Sequence, residues 1–234
     1  MSRAAASPAL PGATEVWLAT PDAAQRLDPA TLDDADRAAW AAIHTSRRRQ
    51  DWASSRALRG AVAVAGQKAS SQSHSRGFAA LALAPASVTV GVDLEWLAPR
   101  DFRALADIAC SADECAHLAS LEDPSDLAST FYELWTLKEA FAKALQLPLA
   151  DALRLCRFID CSGARRAEIP TTRSWQATVF APRHQLRLAV VRMHEYPTPT
   201  CELVNTREWP LPRAREWPMV LDLASSGRHA ATAC

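Results

Sequence analysis

Three features that mark whole classes of proteins are absent from this sequence. No uninterrupted apolar run approaches the roughly 20 residues that a membrane-spanning helix requires. Lys and Arg total 26, as do Asp and Glu, so the formal net charge of zero argues against broad nucleic-acid or membrane binding and leaves open only a local basic patch. None of the six cysteines stands in a CxxC pair, and we therefore expect reduced thiols in a cytoplasmic protein.

The composition is that of an ordinary globular protein, with 49% hydrophobic and 22% charged residues. A chain of 234 residues can bury one large core or two smaller ones. The start of the chain, residues 1–13, is rich in Ala, Ser and Pro and predicts a flexible tail. An organelle transit peptide is the alternative there, because Arg3 is present and the first acidic residue is Glu15.

One long helix is predicted in the second half of the chain. No Gly or Pro interrupts Ser125–Leu147, and Pro148 ends the segment. Apolar residues at three- and four-residue steps predict a buried stripe of Phe131, Leu134, Leu137, Phe141 and Leu145. A second row contains Trp135, Glu139 and Lys143. Taken alone, the order Glu139 then Lys143 indicates only a solvated ion pair.

A pair of acidic residues follows a predicted strand. Gly91-Val-Asp-Leu-Glu95 continues the β-branched run Ser87-Val-Thr-Val90. Residues two apart on a strand share a face, so Asp93 and Glu95 present two carboxylates side by side. Adjacent carboxylates repel each other and need a cation or a shared proton. If Glu139 faces them, three carboxylates converge, which is a ligand set typical of Mg²⁺.

Together, these segments resemble the paired signature of the 4′-phosphopantetheinyl transferases, of the monomeric two-lobed type. The signature consists here of Gly91-Val-Asp-Leu-Glu95 and Trp135-Thr-Leu-Lys-Glu-Ala-Phe-Ala-Lys143, and Ser73-His74-Ser75 is similar to the family's third motif. The resemblance extends over roughly residues 14–192. It implies an α+β fold of two similar α/β lobes in a pseudo-twofold arrangement, each with a small antiparallel sheet packed against helices.

The resemblance also implies a reaction. The 4′-phosphopantetheine arm of coenzyme A is transferred to a serine of an apo acyl or peptidyl carrier protein, and adenosine 3′,5′-bisphosphate is released. Mg²⁺, or Mn²⁺ in its place, is the expected metal, with Asp93, Glu95 and Glu139 as ligands. Glu139 is also the expected base, directly or through a water molecule, and Lys143 meets the phosphate charge.

Further roles follow from the resemblance alone. Trp135 supports the site by packing behind the metal strand, and Lys138 flanks it. The expected coenzyme A contacts are Ser73, His74, Arg49, Arg48, Lys143 and Lys68. A monomer that completes its own site is expected, with no nucleic acid and no membrane as partner.

The order of elements predicts an N-terminal lobe over residues 14–86 and a C-terminal lobe over residues 87–196. A first helix ending near His44 has a predicted apolar side made of Leu32, Ala35, Ala39, Trp40 and Ile43. A short polar link is predicted at Gly66–Gly77. The Pro-rich segment 197–234 predicts a tail without regular elements, whose two Trp-Pro units either bury their indoles or bind a partner.

Two alternatives to the transferase reaction remain open. The first is a degenerate member of the family, which binds coenzyme A or a carrier protein without turnover. It is suggested because relatives carry a Gly-Lys-Pro turn where this chain has Gly66-Gln67-Lys68. A Mg²⁺-dependent phosphohydrolase using the same carboxylates is another. A Ser-His-Asp hydrolase built on His74 is disfavoured, because the sequence has no nucleophile-elbow Gly-x-Ser-x-Gly. A metal cluster of Cys110, Cys115 and His117 lacks a fourth ligand at zinc-finger spacing.

Overall fold

The computed structural model describes residues 13–62, 68–161, 164–195, 204–209, 213–214 and 216–225. In chain order, the strands and helices are β1 (Thr14–Ala19), α1 (Asp34–Ala41), α2 (Ser46–Ala61), β2 (Lys68–Ser75), β3 (Phe78–Pro85), β4 (Val88–Trp96), α3 (Phe102–Ala109), α4 (Ala112–Ser120), α5 (Pro124–Leu145), α6 (Leu149–Leu155), β5 (Arg157–Cys161), β6 (Ala164–Glu168), β7 (Ser174–Phe180), β8 (Leu186–His194), β9 (Val204–Trp209), β10 (Arg213–Ala214) and β11 (Met219–Ala224). This α+β content agrees with the predicted fold class.

The chain divides into two compact units, the first comprising Met1–Ala86 with Thr200–Glu216 and the second comprising Ser87–Pro199 with Trp217–Cys234. In the described part of the chain, no helix combines the length and apolar character that crossing a bilayer requires. Small sheets packed with helices occur in both units, as the sequence predicts.

The first unit contains a five-stranded sheet in the order β10-β9-β1-β3-β2. Its neighbouring strands are antiparallel except for β1 and β9, which run parallel. The prediction of a purely antiparallel sheet is therefore wrong at one pair. The helix α2 contributes Leu58 and Val62 to a core shared with Trp17, Leu81 and Leu83 of the sheet.

Two details of the first unit differ from the sequence prediction. The expected polar link contains a strand, because β2 pairs with β3 along its whole length although its residues are mostly polar. An edge strand needs only one hydrogen-bonding neighbour and tolerates such residues. In α1 no residue is buried, so Ala35 and Ala39 are exposed and only Leu32, just before the helix, reaches the interior.

The second unit is built on a four-stranded antiparallel sheet in the order β11-β7-β8-β4, with a separate β5-β6 hairpin. The long helix α5 packs on β4 and β8. It starts with Pro at the first turn, behind the N-cap Asp123, and ends at Gln146 in the left-handed conformation with φ 56°. The predicted stripe is buried from Phe131 to Phe141, and Leu145 is half-buried.

A glycine allows α5 to approach the sheet. A Cβ atom added to Gly91 on β4 would overlap the carbonyl oxygen of Ala140 and lie 2.8 Å from the amide nitrogen of Ala144. Real Cβ atoms do not make such contacts, so only glycine fits at this position. The consequence is that α5 lies close against the strand that carries both acidic residues.

The segment 197–234 does not form a single irregular tail. It contributes β9 and β10 to the sheet of the first unit and β11 to the sheet of the second. Its indoles are covered rather than displayed: Trp217 is 5% exposed and packs edge-on against Phe180, whereas Trp209 is half-buried beneath Arg26. The Pro content failed to predict these strands because most of the prolines fall between them.

Candidate active site

The acidic strand and the long helix bring three carboxylates together in the second unit. Asp93 and Glu95 alternate with apolar residues on β4, and Glu139 lies on α5. One oxygen from each of these three side chains lies within 4.8 Å of the others. Asp93 is 2% exposed, whereas Glu95 and Glu139 are half-buried.

Lys143 on α5 contacts the strand β4 beside the carboxylates. Its ammonium group donates to Oδ1 of Asp93 at 2.8 Å and to the carbonyl oxygen of Val92 at 2.9 Å. One turn of helix separates Lys143 from Glu139, so the predicted row on α5 faces the acidic strand. The pair is therefore not simply a solvated ion pair on the protein surface.

Burial and neighbouring charge change the acidity of Glu139. Burial is the largest cause and raises the pKa of Glu139 to about 8, with the charges of Asp93 and Glu95 acting in the same direction and Lys143 opposing them. A side-chain hydrogen bond with Asp93 also raises this pKa. A proton on Glu139 can be shared with Asp93 through this hydrogen bond, which is one of the two ways to relieve adjacent negative charges.

The donor set fits a hard divalent cation. Three carboxylates supply oxygen ligands only, and Mg²⁺ commonly binds a few carboxylates while it also binds substrate phosphates. A cation would replace the shared proton in balancing Asp93, Glu95 and Glu139. In the described part of the chain, this is the single group of three or more His, Cys, Asp or Glu side chains that meets the spacing for a metal.

The cysteine-based alternative receives no support from the structure. Cys110, Cys115 and Cys156 are free. Burial is the main cause that raises the pKa of Cys110 to about 12 and that of Cys156 to about 11. Metal ligation by cysteine uses the thiolate form. These side chains are instead held as protonated thiols.

Lys138 does not flank the carboxylates as predicted. Its side chain is fully buried and donates to Oε2 of Glu114 at 2.7 Å, to the Ala109 carbonyl at 2.8 Å and to the Leu153 carbonyl at 2.9 Å. All three ammonium donors therefore have partners that belong to α3, α4 and α6. Lys138 fixes the helix that carries Glu139, and its charge is neutralised within the core.

Glu114 is the residue of this arrangement that the sequence analysis missed. The capping box formed by Ser111 and Glu114 is recognisable in the sequence, and the structure contains both of its hydrogen bonds. The same carboxylate also accepts from the Phe158 amide at 2.8 Å and pairs with Lys138. The capping signal gave no indication of this second, buried role.

Trp135 occupies a different position from the one predicted. It stacks on Phe131 with ring centroids 6.0 Å apart and is only half-buried. With Glu95 it lines a cavity of about 380 Å³, whose other walls include Leu105 and Tyr132. The indole thus borders open space beside a carboxylate and does not simply pack behind the strand.

The predicted coenzyme A contacts other than Lys143 belong to the first unit. Ser73 and His74 are adjacent on β2, so their side chains lie on opposite faces of the strand and not together on a loop. His74 is exposed and Ser73 is half-buried. Lys68 begins β2, and its side chain lies outside the described residues.

The two basic candidates lie in the first turn of α2. Arg48 is exposed. Arg49 donates through Nε to the Ile43 carbonyl at 2.8 Å, and its guanidinium lies 5.6 Å from the centre of the Trp40 ring. Arg49 therefore already connects α2 to the preceding helix. A phosphate contact from either residue stays a prediction.

Comparison with known protein families gives a match that lies within the second unit. No curated protein matches the chain. One family model matches, and it covers 110 of the 234 residues. Residues 89–198, which include Asp93, Glu95, Glu139 and Lys143, match the model of the 4′-phosphopantetheinyl transferase superfamily.

Proposed function

We propose that this protein transfers the 4′-phosphopantetheine arm of coenzyme A to a serine of an apo acyl or peptidyl carrier protein. The observation that carries the proposal is the convergence of Asp93, Glu95 and Glu139, with Lys143 against them, inside the segment that matches the superfamily. Mg²⁺, with Mn²⁺ as a substitute, is the cation that these carboxylates would hold. When bound, it neutralises charge on the pyrophosphate and orients its oxygens.

The transfer requires one bond to form and one to break. The serine oxygen attacks the phosphorus atom next to the pantetheine, and the bond from that phosphorus to the leaving adenosine 3′,5′-bisphosphate breaks. The serine hydroxyl must lose its proton during this step. Glu139 is the candidate acceptor of that proton. A divalent cation held beside Glu139 would lower its pKa, so the carboxylate would be ionised at neutral pH.

Lys143 is the candidate donor to the transferring phosphoryl group. Its contacts with Asp93 and the Val92 carbonyl hold the ammonium beside the acidic cluster, and its side chain remains 32% exposed. A charge-assisted hydrogen bond to a phosphate oxygen is stronger than a neutral one. Positioning and electrostatic stabilisation supply most of the catalysis in phosphoryl transfer, and Lys143 can contribute to both.

The first unit would supply contacts to coenzyme A through His74, Ser73, Arg48, Arg49 and Lys68. His74 has the exposed imidazole that such a contact needs. The monomeric two-lobed type is the class that we propose, because the chain contains two compact units and one chain supplies all four residues of the acidic site. Free thiols at three described cysteines support a cytoplasmic location.

Intact-protein mass spectrometry tests the reaction. Several apo carrier proteins are incubated with the protein, coenzyme A and Mg²⁺, with EDTA added in one control and a carrier lacking the acceptor serine in another. The expected result is a metal-dependent gain of one phosphopantetheine on the serine carrier alone. No gain with coenzyme A binding intact would indicate a degenerate binding protein. Release of free phosphopantetheine without a carrier would indicate a phosphohydrolase.

A further inference from the structure

A buried arginine lies across the sheet from one of the three carboxylates. Arg187 on β8 is paired in register with Glu95 on β4, and it is 9% exposed. Directly opposed residues of an antiparallel pair share a face, with Cβ atoms roughly 4.5–5.5 Å apart. Arg187 and Glu95 therefore lie on the face that packs against α5, two residues along from the pair formed by Asp93 and Ala189.

The guanidinium of Arg187 is attached to α5. Its Nε donates to Oε1 of Glu133 at 3.4 Å, and one terminal nitrogen donates to the Ser129 hydroxyl. The other terminal nitrogen donates to the Leu186 carbonyl at 3.0 Å. Ser129 in turn donates to the same Glu133 oxygen at 3.0 Å. This network joins the sheet to the helix by hydrogen bonds, and none of its residues is in the proposed catalytic set.

Two cations thus connect the same strand pair to the same helix. Lys143, on α5, reaches Asp93 on β4 at one end of the acidic group. Arg187, on β8 opposite Glu95, reaches Glu133 on α5 at the other end. Glu133 precedes Glu139 by six residues, less than two turns of helix. The Arg187 contacts therefore attach α5 to the sheet within two helical turns of Glu139.

We propose that Arg187 is a positioning residue for the acidic site. By joining β8 to α5 beside Glu95, it holds Glu95 and Glu139 at the spacing that a divalent cation requires. This inference rests on the metal assignment in the proposed function. Outer residues that orient metal ligands commonly change metal affinity 10- to 100-fold when they are replaced.

Direct measurement of Mn²⁺ binding tests this role without using the transfer reaction. Free Mn²⁺ is followed by electron paramagnetic resonance during titration of the full chain. The double variant Arg187→Met with Glu133→Gln removes both charges, so that no lone buried carboxylate remains. We expect its Kd for Mn²⁺ to rise about 10- to 100-fold. Arg187→Lys keeps the charge but not the planar guanidinium, and its Kd for Mn²⁺ should lie between those of the double variant and wild type.

A matched control comes from the far end of the same strands. Arg173 donates to the Thr89 hydroxyl on β4 at 2.7 Å and to the Met193 carbonyl on β8 at 3.4 Å. Arg173→Met removes an arginine that also contacts both strands, four residues from Asp93 on β4 and four from Ala189 on β8, and it should leave the Kd unchanged within about twofold. If the double variant unfolds, Ser129→Ala is a milder replacement, and we expect its Kd for Mn²⁺ to rise severalfold.

The outcomes separate the two proposals. If folded variants at Arg187 and Ser129 bind Mn²⁺ as tightly as wild type does, the positioning role is wrong and the metal site stands. An equal loss in Arg173→Met would also refute it, because the effect would then be a general loosening of the sheet. If the wild-type protein itself binds no Mn²⁺, the metal assignment fails and the role of Arg187 fails with it.

Discussion

Replacement of Gly91 by alanine tests the close packing that forms the acidic site. The new Cβ would lie 2.8 Å from the Ala144 nitrogen and closer still to the Ala140 oxygen. Ordinary contact begins at 3.4 Å, so the Ala144 contact alone requires α5 to move by 0.6 Å, and the closer Ala140 contact requires a larger shift. Both atoms are backbone and cannot rotate away. Overpacking of this kind costs about 1–3 kcal/mol, and a rigid backbone contact places Gly91→Ala at the upper end or above it.

The same displacement should affect activity. Glu139 is next to Ala140, so a shift of α5 moves it relative to Asp93. A misplacement of about 1 Å can reduce a rate about 100-fold. We therefore expect Gly91→Ala to lower the unfolding free energy by at least ~3 kcal/mol, or roughly 6–12 °C in Tm, and the transfer rate ~10- to 100-fold. Urea unfolding and initial rates of carrier modification measure the two effects.

Gly60 provides the matched control. It lies in α2, and a Cβ added there meets no atom within 4 Å. Gly60→Ala should therefore leave activity unchanged and stabilise the protein by up to ~1 kcal/mol, because alanine favours helix. Wild-type stability and rate in Gly91→Ala would show that α5 has room beside β4 that the structure does not provide.

Three further predictions concern charge. Lys138→Met should lower the free energy of unfolding, measured with urea, by about 3–5 kcal/mol, because Glu114 is left as a buried charge without its ammonium partner. Cation binding should displace the proton held by Glu139. The affinity for Mn²⁺ should therefore rise about tenfold per pH unit up to about pH 8. Calorimetry in two buffers measures the proton release. His74→Ala should weaken coenzyme A binding without changing Tm.

Each of these predictions has an opposing outcome. A stability loss below ~1 kcal/mol in Lys138→Met would show that the core neutralises Glu114 in another way. Replacing Glu114 as well, as Lys138→Met with Glu114→Leu, should recover part of the loss. Cation affinity that is independent of pH between 6 and 8 would contradict a shared proton. Unchanged coenzyme A affinity in a calorimetric titration would remove His74 from the binding site.

The elements that carry the acidic site could be predicted because their signals are local. The period of α5 and the alternation on β4 place Asp93 and Glu95 on one face and Glu139 on the facing helix surface, and the structure brings them together. Gly91 explains why the approach is so close, yet its position in a strand gave no such indication. The requirement comes from a helix some fifty residues away in the chain.

Other features depend on partners that no local pattern reveals. The strand β9 pairs in parallel with β1, from the other end of the chain, so its Pro-rich surroundings were misleading. Lys138 lies on the same helix as Lys143, five residues earlier, but a carboxylate on α4 draws it into the core. The polar strand β2 forms because β3 offers a complete backbone partner. The contacts that decide these cases are long-range.

The rate of carrier modification by Asp93→Asn shows whether Asp93 and its neighbours form a transfer site. This variant keeps the shape of the side chain and removes its charge. The control is Asp222→Asn at the opposite edge of the same sheet, where the exposed carboxylate bonds to Thr178 at 2.8 Å. We predict that folded Asp93→Asn loses at least ~100-fold in rate, since a bound cation contributes several kcal/mol, whereas Asp222→Asn retains the wild-type rate. A folded Asp93→Asn protein that modifies the carrier as fast as wild type would show that the acidic group is not the transfer site.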